Sequence, residues 1–135
     1  MENKKSDLVL AKEIFLEIIG PIHLCIIGKN GAGKTTLLKQ IYNKLKDRKD
    51  LKVGYMPQNY DAILGKYASA LEFLKKDASK NSITEARSLL GNLNFTKEEM
   101  TMNINCLSGG TKAKLLLAKL VQDEDNVLIL DEPTR

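Results

Sequence analysis

The sequence has no long uninterrupted apolar stretch, and it is poor in cysteine, histidine and aromatic residues. No segment approaches the ~20 consecutive apolar residues that a membrane-spanning helix needs. The N-terminus has no secretory signal pattern. These absences predict a chain without a transmembrane segment of its own and with a cytoplasmic location.

The two cysteines, Cys25 and Cys106, lack the spacing of a metal site. They predict buried or incidental thiols in a reducing compartment rather than a disulfide. His23 is the sole histidine of the sequence and lies within an apolar segment, so we interpret it as a structural residue of a strand. The net charge is +4, and because no basic motif is interleaved with aromatic residues, we interpret most lysines as solvated surface.

Residues 28–35 read GKNGAGKT and fit the phosphate-loop pattern G-x-x-x-x-G-K-[ST]. Glycines let the backbone approach phosphate oxygens closely, and a helix that begins near Gly33 would add the positive end of its dipole. Lys34 would place a charge on the β- and γ-phosphates, and the Thr35 hydroxyl would ligate Mg²⁺. The candidate nucleotide-binding residues of this loop are Gly28, Asn30, Gly31, Ala32, Gly33, Lys34, Thr35 and Thr36.

The segments around the loop supply the strand–loop–helix order that this motif requires. Residues 22–27 form an apolar run that predicts a buried parallel strand leading into the loop. After the loop, apolar residues recur at helical spacing as far as Leu45. Residues 14–18 predict a further edge or hairpin strand.

Asp131 and Glu132 follow four apolar residues, 127–130, which predict another buried parallel strand. Open α/β sheets bind ligands at the carboxyl ends of their strands, so we expect both carboxylates beside the phosphate loop. Asp131 would hold Mg²⁺ through water, and Glu132 would act as general base on the attacking water.

A third motif, LSGG at residues 107–110, makes the sequence similar to the ATP-binding cassette (ABC) superfamily. In that family, the signature presents Ser108, Gly109 and Gly110 at a helix start to the γ-phosphate of ATP held by a facing cassette. Residues 53–58, VGYMPQ, resemble the family's Q-loop. The resemblance implies that Gln58 contacts Mg²⁺ and the attacking water.

The resemblance covers about residues 14–134 and implies an α/β fold, a P-loop nucleoside triphosphatase core with a parallel sheet flanked by helices and an inserted helical subdomain. We expect the nucleotide-binding core at about residues 8–60 and 123–135, and the helical subdomain at about 61–122. The resemblance also implies a single, partial cassette, truncated after the Walker B strand at 127–130. ATP and Mg²⁺ are the implied cofactors, and a second cassette is the implied partner, in a head-to-tail dimer or a tandem repeat.

Residues 86–95 and the DEPT run at 131–134 favour the ABC-F proteins, which are soluble, usually tandem cassettes that often act on the ribosome, although Arg135 stands where those proteins usually have Asn. Three hypotheses remain open: an ABC-F ATPase with ribosome or RNA as partner, the ATP-binding subunit of a membrane transporter with separate transmembrane subunits, and a non-catalytic interaction fragment. We expect the intact cassette to hydrolyse ATP, and the isolated chain to bind nucleotide weakly with little turnover.

Overall fold

The computed structural model describes residues 17–19 and 21–133. The predicted strand at 14–18 falls largely outside the described residues, as do Thr134 and Arg135. The described chain forms a two-stranded parallel sheet and a set of helices, in the order α1 (Lys34–Leu45), β1 (Val53–Met56), α2 (Asp61–Leu64), α3 (Ala70–Leu74), α4 (Lys80–Asn92), α5 (Lys97–Thr101), a 3₁₀ turn (Ile104–Cys106), α6 (Gly109–Gln122) and β2 (Val127–Leu130).

The sheet pairs β1 with β2 in parallel, with Val53 opposite Val127 and Met56 opposite Leu130. A parallel pair needs a long crossover, and the 70 intervening residues from 57 to 126 supply it with helices α2 to α6. The fold is therefore α/β, with helices flanking a parallel sheet as the sequence predicts.

Helices cover both faces of β1. On one face, the ring of Tyr42 from α1 stacks on Tyr55 with 5.1 Å between ring centroids. On the other face, α6 lies so close that a Cβ atom on Gly54 would come within 2.5 Å of Leu120 Cδ2. The two faces of this strand thus belong to different layers, with α1 on one side and α6 on the other.

The hydrophobic core lies on the α6 side of the sheet, among helices α2 to α6. Its fully buried large side chains are Met56, Leu64, Leu74, Leu90, Ile104 and Leu115. One continuous cluster joins these residues, and Leu130 of β2 packs against it. The ends of both strands are therefore anchored in the same core.

Capping side chains mark the starts of two helices. Ser108 is the N-cap of α6, and its Oγ accepts a hydrogen bond from the Thr111 N–H at 3.1 Å. Thr96 and Glu99 form a reciprocal capping box at the start of α5. Such caps satisfy amides that have no partner within the helix, so they fix where each helix begins.

The predicted buried strand at residues 22–27 is wrong. This segment forms no strand, and Ile22, Leu24 and Ile27 are 58%, 52% and 90% exposed. An apolar run becomes a buried strand only where a neighbouring strand pairs with it and helices cover it, and the described residues place no strand beside this one. Cys25 and His23 are accordingly exposed rather than part of a core strand, and both cysteines are free.

The strand predicted at residues 127–130 is confirmed as parallel but is only partly buried. Ile129 is 6% exposed, whereas Leu128 is 51% exposed. Within the described residues the sheet ends at β2. In the described part of the chain, no further strand pairs with the outer edge of β2.

Candidate functional site

The phosphate loop has the backbone conformation that its glycines allow. Gly31 has φ +80°, and Gly33, the N-cap of α1, has φ +90°. Both values lie in the left-handed region, which strains residues that carry a Cβ atom. The Ala32 N–H donates to the Lys29 carbonyl at 3.1 Å, which closes a tight turn directly before α1. This places a turn and a helix N-terminus together, the arrangement that binds phosphate in many proteins.

Lys34 folds back over this loop. Its Nζ donates to the carbonyl oxygens of Gly28 at 2.8 Å and Lys29 at 3.0 Å. The ammonium group is therefore held at the loop by weak neutral acceptors that phosphate oxygens, as charged acceptors, could replace. Thr35 follows in the first turn of α1 and is half-buried, while Asn30, Ala32 and Thr36 are exposed.

The acid pair lies at the carboxyl end of β2. The Asp131 N–H donates to the Met56 carbonyl at 2.9 Å, so the ladder between the strands extends to Asp131. The Asp131 side chain is 3% exposed, and its Oδ2 atom is buried with no hydrogen-bond partner among the described residues. A buried carboxylate oxygen without a partner is costly, which points to a cation or donor that this chain binds there.

Gln58 and Glu132 meet at the same end of the sheet. Gln58 Nε2 donates to Glu132 Oε2 at 2.8 Å. The contact joins residues that are 74 positions apart, because Met56 and Leu130 are opposite each other where the two strands end. Glu132 is exposed and has φ +51°, in the left-handed region. The structure thus brings Gln58, Asp131 and Glu132 together.

The signature lies at the start of α6. Gly109 and Gly110 are exposed, and a Cβ atom at either position would meet nothing within 4 Å. The amides of the first helical turn are without intrahelical partners, and among the described residues the Ser108 cap accepts a hydrogen bond from that of Thr111. The two glycines of the helix start therefore lie at the surface of the described chain.

The phosphate loop and the acid pair are linked through α1 and β1 rather than by direct bonds. Tyr42 of α1 stacks on Tyr55, and Tyr55 lies opposite Ile129, two residues before Asp131. Among the described residues, no hydrogen bond or ion pair joins Lys34 or Thr35 to Asp131. The roles predicted for the individual site residues stay predictions.

The donor set fits a hard cation. Mg²⁺ prefers oxygen ligands, and it is usually held by one or two carboxylates together with substrate phosphates rather than by an all-protein cage. Asp131 supplies a buried carboxylate oxygen without a partner, and Thr35 would supply a hydroxyl. No group of three or more His, Cys, Asp or Glu side chains suited to a metal occurs in the described ranges.

Two residues next to the motifs, Tyr55 and Lys112, were not predicted as part of the site from the sequence. The Tyr55 hydroxyl is buried with no hydrogen-bond partner in the described chain. Burial raises the pKa of this phenol, and the negative charge of Asp131 raises it further. The alternation of the β1 strand could have placed Tyr55 on the face towards Asp131. By contrast, no local pattern signals the contact of Lys112 with Asp61, 51 residues earlier.

A phosphate loop before a helix, a buried acid at the end of a parallel strand and a capped glycine pair define a P-loop nucleoside triphosphatase of the cassette type. The sequence profile of the ABC transporter family matches residues 16–135. The chain therefore belongs to the ABC transporter family, a family of ATPases.

Similar proteins include several with ATP binding in their names. The chain is 33% identical to probable ATP-binding protein YheS of Escherichia coli over 96% of its own length and 21% of that protein. It is 33% identical to ATP-binding cassette sub-family F member 3 of Pongo abelii over 82% of its length and 17% of that protein. It is 29% identical to protein GCN20 of Saccharomyces cerevisiae over 93% of its own length and 18% of that protein.

These relatives confirm the resemblance to ABC-F proteins. The chain spans about a fifth of the length of the curated relatives it matches. None of the helices in the described part of the chain is both long and apolar enough to cross a bilayer.

Proposed function

We propose that this chain is the ATP-binding part of a cytoplasmic, soluble ABC-F type ATPase, which hydrolyses ATP to drive a conformational change. The observation that carries this proposal is the cluster at the end of the sheet, where Gln58 Nε2 donates to Glu132 Oε2 and the neighbouring Asp131 keeps a buried oxygen without a partner. Phosphoryl transfer to water requires a general base, a side chain that orients the water and a carboxylate oxygen that can bind a cation.

Each residue has a defined task in this proposal. The amides of residues 28–36 surround the β- and γ-phosphates of ATP, and Lys34 moves from the carbonyls of its own loop onto the phosphate oxygens. Thr35 and Asp131 hold Mg²⁺, which neutralises charge on the phosphates. Glu132 accepts a proton from the attacking water, and Gln58 orients that water. A facing cassette completes the site with Ser108, Gly109 and Gly110 at its own helix start.

The proposed partners follow from this composite site. A second cassette, either in a head-to-tail dimer or in a tandem repeat, is needed to bring a signature to each phosphate loop. The similarity to GCN20 and to sub-family F member 3 supports the soluble branch of the family. In that branch, the ribosome or RNA is the proposed target.

Two variants of the full-length protein test the proposal. Lys34→Ala should weaken ATP binding at least about tenfold in a titration with Mg²⁺, since it removes the charge that the phosphates meet. Glu132→Gln should retain ATP binding and reduce the rate of hydrolysis at least about a hundredfold, since it removes the general base. Unchanged hydrolysis in Glu132→Gln, or unchanged binding in Lys34→Ala, would contradict the proposed site.

The alternative function is the ATP-binding subunit of a membrane transporter, and the family's description as ABC transporter favours it. The gene organisation separates the two functions. A second cassette in the same gene, joined by a charged helical linker, supports the ABC-F function. A neighbouring gene that encodes several apolar spans of ~20 residues supports the transporter.

A further inference from the structure

One lysine connects the signature helix to the segment that follows Gln58. Lys112, in the first turns of α6, donates from Nζ to Asp61 Oδ1 at 2.8 Å and to the Asn105 carbonyl at 3.3 Å. Asp61 is the first residue of α2 and comes three positions after Gln58. A single ammonium group thus joins α6, α2 and the turn that leads into the signature.

The two side chains of this ion pair differ in their exposure to water. The Lys112 side chain is 12% exposed, whereas Asp61 is 64% exposed. Surface pairs contribute little because water screens both charges. Here most of the lysine side chain is covered by the protein, which holds its ammonium beside Asp61 and the Asn105 carbonyl.

Both ends of the contact are fixed to the core and to the site. On the α2 side, Tyr60 and Leu64 are buried, and the preceding Gln58 is hydrogen-bonded to Glu132. On the α6 side, the Lys112 N–H donates to the Ser108 carbonyl at 2.9 Å, which is the first hydrogen bond of the helix. The lysine is therefore attached to the same turn that exposes the signature amides.

We propose that Lys112 is a positioning residue, which locks the signature amides of Gly109 and Gly110 to the segment that carries Gln58. This inference rests on the proposed function. The contact couples two parts of the same cassette: the Gln58–Glu132 pair at the end of its sheet, and the signature that it presents to the facing cassette. The two parts therefore move together. Lys112 touches neither nucleotide nor metal in this proposal.

The test compares Lys112→Met with a matched control on the same helix, Lys119→Met, in the full-length protein. Lys119 pairs with Asp123, the residue that follows α6, at 3.0 Å, and it makes no hydrogen bond or ion pair to α2 among the described residues. For Lys112→Met we expect kcat to fall about tenfold while the KM for ATP and the affinity for ATP change less than twofold. Lys119→Met should leave all three values unchanged, and Lys112→Arg should restore most of the turnover because it keeps the charge and the donors.

A double-mutant cycle with Asp61→Asn isolates the pair. Once Lys112→Met has removed the contact, Asp61→Asn should lower kcat no further. Additive effects, equal losses in ATP affinity and turnover, or a value of kcat equal to that of Lys119→Met would overturn the proposal.

Hydrogen exchange separates this proposal from the proposed function. The amides of residues 111–115 should exchange faster in Lys112→Met than in Lys119→Met, because the first turns of α6 lose their attachment to α2. This readout does not depend on hydrolysis. If hydrolysis by the wild-type protein did not depend on Lys34, the proposed function would be contradicted. Equal exchange rates in Lys112→Met and Lys119→Met would contradict the positioning role.

Discussion

Packing of the fold alone does not explain why the carboxylate of Asp131 is buried. It is 3% exposed, and its Oδ2 has no hydrogen-bond partner among the described residues. Removing a charged oxygen from water without a partner opposes folding. A residue that destabilises the chain without ligand and would be satisfied by a cation is better explained by binding than by packing.

Asp131→Asn tests this at the residue scale. We expect the variant to raise Tm in the absence of ligand by a few degrees, since it removes a buried charge of similar shape. It should also abolish the additional stabilisation that Mg²⁺ gives over EDTA in the presence of ATP. Thermal unfolding of both proteins with ATP, with and without Mg²⁺, measures both effects. A variant that keeps the full Mg²⁺-dependent rise would show that Asp131 does not hold the metal.

Asp125, at the end of the turn before β2, gives a prediction about pH. Partial burial raises the pKa of this carboxyl above its ordinary value, and the negative charge of Asp123 raises it further. The folded state therefore holds the proton more tightly than the unfolded state, so the ionised group reduces stability once the pH rises above the ordinary value of 3.8. Asp125→Asn should raise Tm by about one to two degrees at pH 7 and should give no gain at pH 3.

Thermal unfolding across pH 3–8 measures this difference. Asp77→Asn serves as a control, because the Asp77 carboxylate accepts a hydrogen bond from the Ser79 N–H at 2.8 Å, which lowers its pKa, so this residue should not gain stability when neutralised. A gain for Asp125→Asn that is equal at pH 3 and pH 7 would show that its charge is not the cause.

The glycines and the lysine of the phosphate loop could be predicted because the motif is local. The pattern itself specifies a turn at Gly31 and Gly33 and a helix start at Lys34, and the structure has both. The contact between Lys112 and Asp61 could not be predicted in this way. It depends on how α2 and α6 pack together, and neither segment alone contains that information.

Among the elements, the starts of helices with a capping signal were predictable, whereas an apolar run by itself did not decide whether a strand forms. α6 begins after the Ser108 cap and α5 after the Thr96 capping box, as their sequences indicate. Residues 22–27 carry a strong strand pattern, yet they remain exposed. A helix satisfies its own backbone, whereas a strand needs a neighbour, so an apolar run alone cannot fix its own pairing.

The contact between α6 and β1 gives a prediction at the element scale. A Cβ atom on Gly54 would lie 2.5 Å from Leu120 Cδ2 and would also collide with the Asp125 carboxylate. We expect Gly54→Ala to destabilise the protein by about 1–3 kcal/mol, since the helix must move away from the strand. Chemical denaturation measures the change in the free energy of unfolding.

Gly91 is the matched control for this substitution. It lies in α4, where a Cβ atom would meet nothing within 4 Å. Gly91→Ala should stabilise the protein by about 0.5–1 kcal/mol through helix propensity. If Gly54→Ala were as well tolerated as Gly91→Ala, the close approach of α6 to β1 would be refuted.

For the whole molecule, the α/β class and the parallel strand before Asp131 followed from the sequence, whereas the pairing of that strand with the one before Gln58 is seen only in the structure. How deeply each strand is buried could not be predicted, because burial depends on the helices that pack on its two faces. The residue pattern of a single strand does not specify those helices. The candidate site residues likewise lie in separate places on the molecule. The chain collects Gln58, Asp131 and Glu132 at one end of its sheet, while Gly109 and Gly110 face open space. A site shared with a second cassette would combine the cluster at the end of the sheet in one chain with the two glycines of the other chain.

Gly109→Asp tests the composite site in the full-length protein. An aspartate in the first turn of a helix is favourable for the helix itself, and the space around Gly109 is open, so the fold should be retained. Its carboxylate would repel a γ-phosphate brought by a facing cassette. We therefore expect turnover to fall at least about tenfold, while the affinity of the phosphate loop for ATP changes less than twofold.

Asn81→Asp supplies the matched control, since it adds the same charge at an exposed position in the first turn of α4. It should leave both turnover and affinity unchanged. If Gly109→Asp weakens ATP binding as much as turnover, the signature contacts the nucleotide of its own chain and the two-cassette arrangement is wrong. If neither value changes, the start of α6 does not meet a phosphate at all. For Gly109→Asp, a loss of turnover with unchanged ATP affinity is the result that two facing cassettes predict, because each half of the site then lies on a different cassette.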